Sequence, residues 1–244
     1  MKTYVAILAA GKGLRMGLSQ PKQFEMLDGK TVLEHSVDTF EKHPNIDGIF
    51  VVVHADFLDS TKRLLNVQNR PKILDVIAGG LERMDSSFAA ITALENHVGA
   101  GFARPSSADT ASASEGGQTP PLHVDCNLLI HDAARPFITE KIITDVVDAL
   151  KTHTAVSVAI PATDTVYVCG DGNVIASSPK RETVYLAQTP QGGRLAVLRR
   201  AFENAVANVA TDDACVILNH LPNEKIHIVL GDVANRKITF RGDL

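Results

Sequence analysis

A glycine-rich turn that carries basic side chains can hold phosphate, because glycine lets backbone N–H groups approach an anion closely. The chain has such a turn near its start. Ala6-Ile7-Leu8-Ala9-Ala10-Gly11-Lys12-Gly13-Leu14-Arg15-Met16-Gly17 leads into Pro21-Lys22-Gln23-Phe24. Lys12, Arg15 and Lys22 spread positive charge over this segment, which suits a triphosphate better than a single phosphate. The spacing is not that of a P-loop, which needs Gly-x-x-x-x-Gly-Lys-Ser/Thr. Nor is it the dinucleotide fingerprint: three residues separate Gly13 from Gly17, and no acidic residue ends a second strand about 20 residues on. On these residues alone a plain tight turn stays open.

Other polar clusters follow apolar runs. Gly79-Gly80-Leu81-Glu82-Arg83-Met84-Asp85-Ser86-Ser87 reads as a strand end opening a helix, able to hold a base edge or an anion. Its bland alternative is a turn with a Ser/Asp cap. His131-Asp132-Ala133-Ala134-Arg135-Pro136 brackets two small residues between an acid and an arginine. Asp132 could bind a metal or a ribose hydroxyl. Arg135 could hold phosphate or simply pair with Asp132, and His131 reads as structural. Asp164-Thr165, Arg181, Gln188-Thr189-Pro190-Gln191, Thr211-Asp212-Asp213 and Asn235-Arg236-Lys237-Ile238-Thr239 add hydroxyls and cations of the kind that recognise phosphate. No Ser-His-Asp spacing and no His-x-x-x-His pair is present. The pattern is phosphate chemistry by cations and hydroxyls, without a protein nucleophile.

The elements that must position these residues alternate. Strands are expected over 4–9, 48–53, 73–78, 127–130, 155–160, 226–230 and 237–240. Helices are expected over 32–40, 56–65, 85–96, 140–151 with Thr139 as N-cap, 194–207, and 211–218 opened by Thr211-Asp212-Asp213. Alternating β and α units imply a Rossmann-like, doubly wound α/β fold with a mainly parallel sheet. Ligands of such folds sit beyond the carboxyl ends of the strands. Two segments break the alternation. Residues 164–185 read as an inserted β-hairpin turning at Gly170-Asp171-Gly172-Asn173, and a lone hairpin is marginal in water, so it is expected to pack on a second subunit. Residues 99–119, rich in Ala, Ser, Gly and Pro, read as a flexible surface insertion in one domain spanning 1–244.

Composition narrows the class. The chain has 244 residues, 45% apolar and 21% charged, which suits a self-supporting globular domain. A net charge of −4 gives no basic field for nucleic acid. Cys126, Cys169 and Cys215 are too scattered for a disulfide framework or a zinc site. No signal peptide and no long apolar run is visible, so a cytoplasmic protein without membrane contact is expected.

Taken together and in order, the motifs resemble the 2-C-methyl-D-erythritol 4-phosphate cytidylyltransferase family of the sugar-phosphate nucleotidyltransferases. The resemblance runs from Ala6 to Thr239, and six ordered motifs are far more specific than one. It implies transfer of CMP from CTP to methylerythritol 4-phosphate with release of pyrophosphate and help from Mg²⁺, a step of isoprenoid biosynthesis. It implies that Arg15, Lys22 and Lys237 hold the triphosphate and stabilise the transition state. Ala9, Ala10, Gly11, Gly13, Gly80, Ser86 and Ala133 would bind the nucleotide, and Asp132 would lie at the metal. Arg135, Thr165, Arg181, Thr189 and Thr211 would bind the substrate, with Thr165 and Arg181 reaching across a homodimer from the 164–185 arm. Leu81 stands where some relatives carry an acid, so a base contact there must use its backbone. Family chains usually run on into a helix beyond the position of Leu244, which leaves a shortened chain or the front half of a fused enzyme open. Ribitol 5-phosphate cytidylyltransferases share most of these motifs and are the alternative. A catalytically inactive nucleotide-binding relative is the alternative of another class, disfavoured by Arg15, Lys22 and Lys237 together.

Overall fold

The computed structural model describes residues 1–11, 21–100, 125–203, 205 and 210–243. Its centre is a seven-stranded sheet. In chain order the strands are β1 (Lys2–Ala9), β4 (Gly48–Val53), β5 (Ile73–Ala78), β6 (Cys126–Asp132), β7 (Ala155–Pro161), β10 (Tyr185–Arg194) and β11 (Ile226–Leu230). Across the sheet the order is β11-β7-β10-β6-β1-β4-β5. All neighbours run parallel except β10, which is antiparallel to both β6 and β7.

The core lies on both faces. Along β1 and β4, Val5, Ile7, Ile49, Val51 and Val53 point to one side, where they meet Leu33, Val37 and Phe40 of α1 (Val32–Lys42) and Ile142, Ile143 and Val146 of α4 (Glu140–Ala149). Tyr4, Ala6, Phe50 and Val52 point to the other, against Ala90, Ile91 and Leu94 of α3 (Arg83–Ala100), Leu198 and Phe202 of α5 (Leu195–Glu203), and Val216 and Ile217 of α6 (Asp213–His220). Burial on both faces is why β4 is a continuous apolar run. Strand and helix periods therefore agree with the expected doubly wound sheet. Helix starts are chemically marked. Thr31 and Glu34 form a reciprocal capping box on α1, and Thr139 accepts from the Ile142 N–H as expected.

Four expectations change. First, residues 237–240 form no strand. Ile238 is buried and its N–H donates to the Ala134 carbonyl, but no ladder follows. The segment instead passes over the end of β6, which turns Lys237 toward the sheet's carboxyl edge. Second, a strand, β10, forms where none was expected, through Gln188-Thr189-Pro190-Gln191-Gly192-Gly193. Its register breaks between Ala187 and Gln191, which accommodates a proline that cannot donate to a ladder. Glycine is required at 192, where a Cβ would lie 2.2 Å from the Leu128 carbonyl oxygen. Third, α6 is capped by Asp212, which accepts from the Cys215 N–H, and not by Thr211. Fourth, the helix expected over 56–65 opens as a 3-10 turn, Ala55–Phe57, before α2 (Leu58–Leu64), while the one expected over 194–207 is described as α5 over Leu195–Glu203, with 204, 206 and 207 outside the described residues.

Two short hairpins complete the described chain. β2 (Met26–Leu27) and β3 (Lys30–Thr31) are joined by Asp28-Gly29, both at positive φ, as a two-residue turn demands. In the expected arm, β8 (Val168–Cys169) pairs with β9 (Ile175–Ser177) in a sheet of its own, separate from the central one. Its Tyr167, Val174 and Ile175 are each more than half exposed. Residues 99 and 100 are the end of α3; the rest of the expected insertion over 99–119 lies outside the described residues. No described helix is long and apolar enough to cross a membrane.

Candidate active site

Strands β6, β1, β4 and β5 end side by side, and a cleft of about 530 Å³ opens beyond them, lined by residues that end or follow β6, β1 and β5. One wall is Ala9, Ala10 and Gly11 at the end of β1. Gln23 holds that wall in place. It is buried, and its Nε2 donates to the carbonyls of Ala9 and Gly11. The opposite wall is Gly80, Leu81, Glu82 and Ser86 at the start of α3. Here glycine is dictated by close approach, because a Cβ on Gly80 would meet the Asp85 Cβ at 2.2 Å. The Asp85 carboxylate reaches back to accept from the Glu82 N–H at 3.0 Å, capping the helix. Leu81 is 90% exposed on the cleft rim, so it offers the cleft no charge where an acid is found in some relatives.

The floor is Asp132, the last residue of β6, with Ala133 and Ala134 after it. Lys237 Nζ lies 2.7 Å from its Oδ2 and Arg83 Nε lies 3.2 Å from its Oδ1. Burial alone would raise the Asp132 pKa. Arg83 and Lys237 outweigh it and hold the carboxyl well below the usual carboxylate range. Lys22, in the 3-10 turn after Pro21, lines the mouth, and its Nζ donates to the Ile238 carbonyl at 2.7 Å. That bond ties the segment carrying Lys237 to the one carrying Lys22. A slot lined by small residues at two strand ends, with Lys22, Lys237 and an ionised carboxylate also in its lining, can hold a polyanion and a planar base.

Behind Asp132 a layer of neutral polar groups fixes the floor. Thr189 Oγ1 accepts from the Asp132 N–H at 3.1 Å and lies 3.0 Å from His131 Nδ1. His131 Nε2 faces the Arg135 carbonyl at 3.2 Å, so the proton sits on Nε2 and Thr189 donates to Nδ1. Burial lowers the His131 pKa to about 4, which keeps the ring neutral. Arg135 donates to the carbonyls of Asn235 and Ala187, and burial lowers its pKa. The buried Asn235 donates to Gln188 Oε1 and to the Thr189 carbonyl.

The expected residues thus divide. Lys22, Lys237, Asp132, Ala9, Ala10, Gly11, Gly80, Ser86 and Ala133 share the cleft. Arg135 and Thr189 stand behind it, tying strand ends together; Thr189 is 3% exposed. Thr211 lies beside a separate small hollow with Met84 and Asp212. Thr165 and Arg181 belong to the arm, away from the cleft of their own subunit; Arg181 donates to the Thr163 carbonyl at 3.2 Å. Arg15 and Gly13 lie outside the described residues. Sequence reasoning gave no role to Arg83, Gln23, Asp213 or Thr239. Arg83 and Asp213 were visible only as members of the Gly79–Ser87 and Thr211–Asp213 runs, with nothing to say that they meet.

Among the described residues no group of three or more His, Cys, Asp or Glu side chains gathers to hold a metal by itself. Magnesium commonly binds through one or two carboxylates plus substrate phosphates, keeping several waters. Asp132 fits that mode as the single ionised carboxylate on the floor, each oxygen retaining a free lone pair.

A family model described as IspD, 2-C-methyl-D-erythritol 4-phosphate cytidylyltransferase, matches residues 3–102 and 122–244. The enzyme of that name from Thermobifida fusca is 38% identical over 98% of this chain and 89% of its own. A bifunctional ribulose 5-phosphate reductase/CDP-ribitol pyrophosphorylase from Haemophilus influenzae is 36% identical over 98% of this chain but 46% of its own. The crystal structure of 4-diphosphocytidyl-2C-methyl-D-erythritol synthase from Anaerococcus prevotii superimposes with a TM-score of 0.77 at 28% identity, covering 99% of this chain and 92% of that one. Residues of four of the ordered motifs line one cleft, and the family match spans nearly all of the sequence outside 103–121. The chain belongs to the 2-C-methyl-D-erythritol 4-phosphate cytidylyltransferase family.

Proposed function

We infer that the chain transfers CMP from CTP to 2-C-methyl-D-erythritol 4-phosphate, giving the CDP-alcohol and pyrophosphate. The observation that carries this, beside the family, is the cleft whose lining brings Lys22, Lys237 and Asp132 together, with Lys237 Nζ on Asp132 Oδ2. An oxygen of the substrate phosphate attacks the α-phosphorus of CTP. A P–O bond forms there as the bond to the β-phosphate breaks, and pyrophosphate leaves. The attacking phosphate is already ionised, so no general base is needed. Catalysis then rests on positioning and on charge stabilisation by fixed cations. The backbone of Ala9, Ala10, Gly11, Gly80 and Ala133, with Ser86, suits the cytidine end. Lys22 and Lys237 suit the triphosphate, where charge builds on the leaving oxygen, and Arg15 joins them in this reading. Mg²⁺ supplies further neutralisation of the triphosphate when bound, and Asp132 is the residue to hold it.

The same reading makes the protein a homodimer through the 164–185 arm. Its Tyr167, Val174 and Ile175 are large apolar side chains left exposed, which favours a partner that covers them. Thr165 and Arg181 would then act on the partner's substrate, Arg135, Thr189 and Thr211 would support the substrate from behind and beside the cleft, and the domain would work in the cytoplasm.

Pyrophosphate release measured with CTP and each polyol phosphate, with and without Mg²⁺, tests the function. Turnover is expected with methylerythritol phosphate and CTP. Faster turnover with ribitol 5-phosphate would replace the substrate, equal use of ATP or GTP would overturn the base pocket, and full activity in chelator would overturn the metal.

A further inference from the structure

One group of buried charges has no part in the chemistry above. Arg83, the first residue of α3, faces two carboxylates at once. Its Nε is 3.2 Å from Asp132 Oδ1, and its Nη1 is 2.6 Å from Asp213 Oδ2. Asp213 sits in the first turn of α6 and is 1% exposed. Ser87, one turn along α3 from Arg83, donates its hydroxyl to Asp213 Oδ1 at 2.6 Å. Gln191 of β10 clasps the same helix start. Its Nε2 donates to Asp212 Oδ2 at 2.8 Å and its Oε1 accepts from the Ala214 N–H at 3.1 Å. Asp213 is therefore fixed by α3, α6 and β10 together.

A carboxylate this buried is costly unless it is paired. Asp212 already caps α6, so the helix does not need a second acid. What Asp213 does have is Arg83, and Arg83 lines the cleft. A guanidinium free to turn there would fork onto phosphate, its preferred partner geometry. Held by Asp213, it keeps its Nε on Asp132 instead. Lys237 holds the other Asp132 oxygen through one flexible stem, with its side chain 38% exposed. The two cations on Asp132 thus differ in kind: one is anchored from behind, and the other is tethered only at its tip.

We propose that Asp213 is a positioning residue that acts through Arg83. It clamps the guanidinium onto Asp132, so that Lys237, and not Arg83, is the cation exchanged onto the CTP phosphates. The inference rests on the cytidylyltransferase reading.

A double-mutant cycle tests it. Asp213→Asn keeps the shape and an acceptor for Ser87 but loosens Arg83. Its kcat should fall about 10–100-fold, while CTP binding without metal, measured by calorimetry, stays as tight or tightens, because Arg83 is released to phosphate. A merely structural defect would weaken binding. If Asp213 acts only through Arg83, the Arg83→Gln/Asp213→Asn double variant should match the kcat of Arg83→Gln within about 2-fold. Unchanged kcat, weakened CTP binding, or losses that multiply in the double variant would each overturn the proposal. If Asp213→Asn does not fold, Ser87→Ala, which removes one of the bonds to Asp213, should show the same split at smaller size, and its absence overturns the proposal too. The wild-type control separates the readings. No pyrophosphate release by wild type with CTP and methylerythritol phosphate refutes the function, whereas an active wild type with an indifferent Asp213→Asn refutes only the clamp.

Discussion

Lys237 Nζ lies 2.7 Å from Asp132 Oδ2, so this cation of the cleft is paired with the floor before any phosphate arrives. An ammonium on a flexible stem can leave that carboxylate for a stronger polyanion, and the carboxylate keeps Arg83 when it does. Lys237→Ala should cut kcat by about 10²–10³, the usual scale for losing one transition-state charge contact, and Lys22→Ala should do the same. Steady-state kinetics on both variants check this. A rise in KM at constant kcat would make them ground-state binders and would remove charge stabilisation from the mechanism.

Gly80 makes a sharper test of the opposite wall. A methyl group there would strike the Asp85 side chain at its Cβ, which cannot swing away because it is attached to the helix. The wall or the cap between Asp85 and Glu82 must move. Gly80→Ala should cost on the order of 1–3 kcal/mol of stability, as overpacking does. It should also raise the KM for CTP more than that for the polyol phosphate. Equal effects on both substrates would place the nucleotide elsewhere.

How far the sequence carried these conclusions differs from element to element. β1, β4, β6 and β7 were legible because strands buried on both faces must be apolar throughout, and few other structures ask for that. β10 was not, because Gln188-Thr189-Pro190-Gln191-Gly192-Gly193 has no strand propensity of its own. Its neighbours β6 and β7 impose the extended state. Residues 237–240 erred the other way: an apolar-alternating segment with a buried Ile238 found a single carbonyl instead of a ladder. In the site, Lys22, Asp132 and Lys237 were legible as motif members at predicted strand ends. Their convergence is a property of the fold. Asp213 was hidden because an acid in the first turn of a helix needs no other explanation than the helix. Only the burial of its carboxylate against Arg83 gives it another.

The buried His43 predicts acid sensitivity away from the cleft. Its Nδ1 accepts from the Asn45 N–H at 3.3 Å, so its Nε2 carries the proton and donates to Thr144 Oγ1 at 2.9 Å. Burial lowers its pKa, with Lys72 adding to the effect against the pull of Glu140. A histidine whose folded pKa is depressed binds fewer protons folded than unfolded once the pH drops below about 6.5. Its contribution to stability is therefore complete above that pH and is lost on acidification. His131, lowered to about 4, acts in the same direction. Denaturant unfolding of wild type and His43→Gln between about pH 8 and 5 should show wild type losing stability faster as the pH falls below about 6.5. Parallel curves would mean that the folded protein accommodates the His43 charge.

The arm carries the last prediction. Arg181 sits in the 3-10 turn Arg181–Thr183 just before β10, and the sheet of β8 and β9 is hydrogen-bonded to no strand of the central sheet. A closed two-fold dimer would lay each arm over the other subunit's cleft, with Arg181 offering a charge-assisted contact to the substrate phosphate. Arg181→Ala and Lys22→Ala subunits, each prepared alone, should turn over poorly. Co-refolded, a mixed dimer has one cleft with both defects and one with neither. Activity should then recover to at most about half of wild type per heterodimer. Native mass spectrometry counts the heterodimers. No recovery in a sample where they have formed would mean that Arg181 serves its own subunit or none, and that the exposed faces of Tyr167, Val174 and Ile175 answer to something other than catalysis.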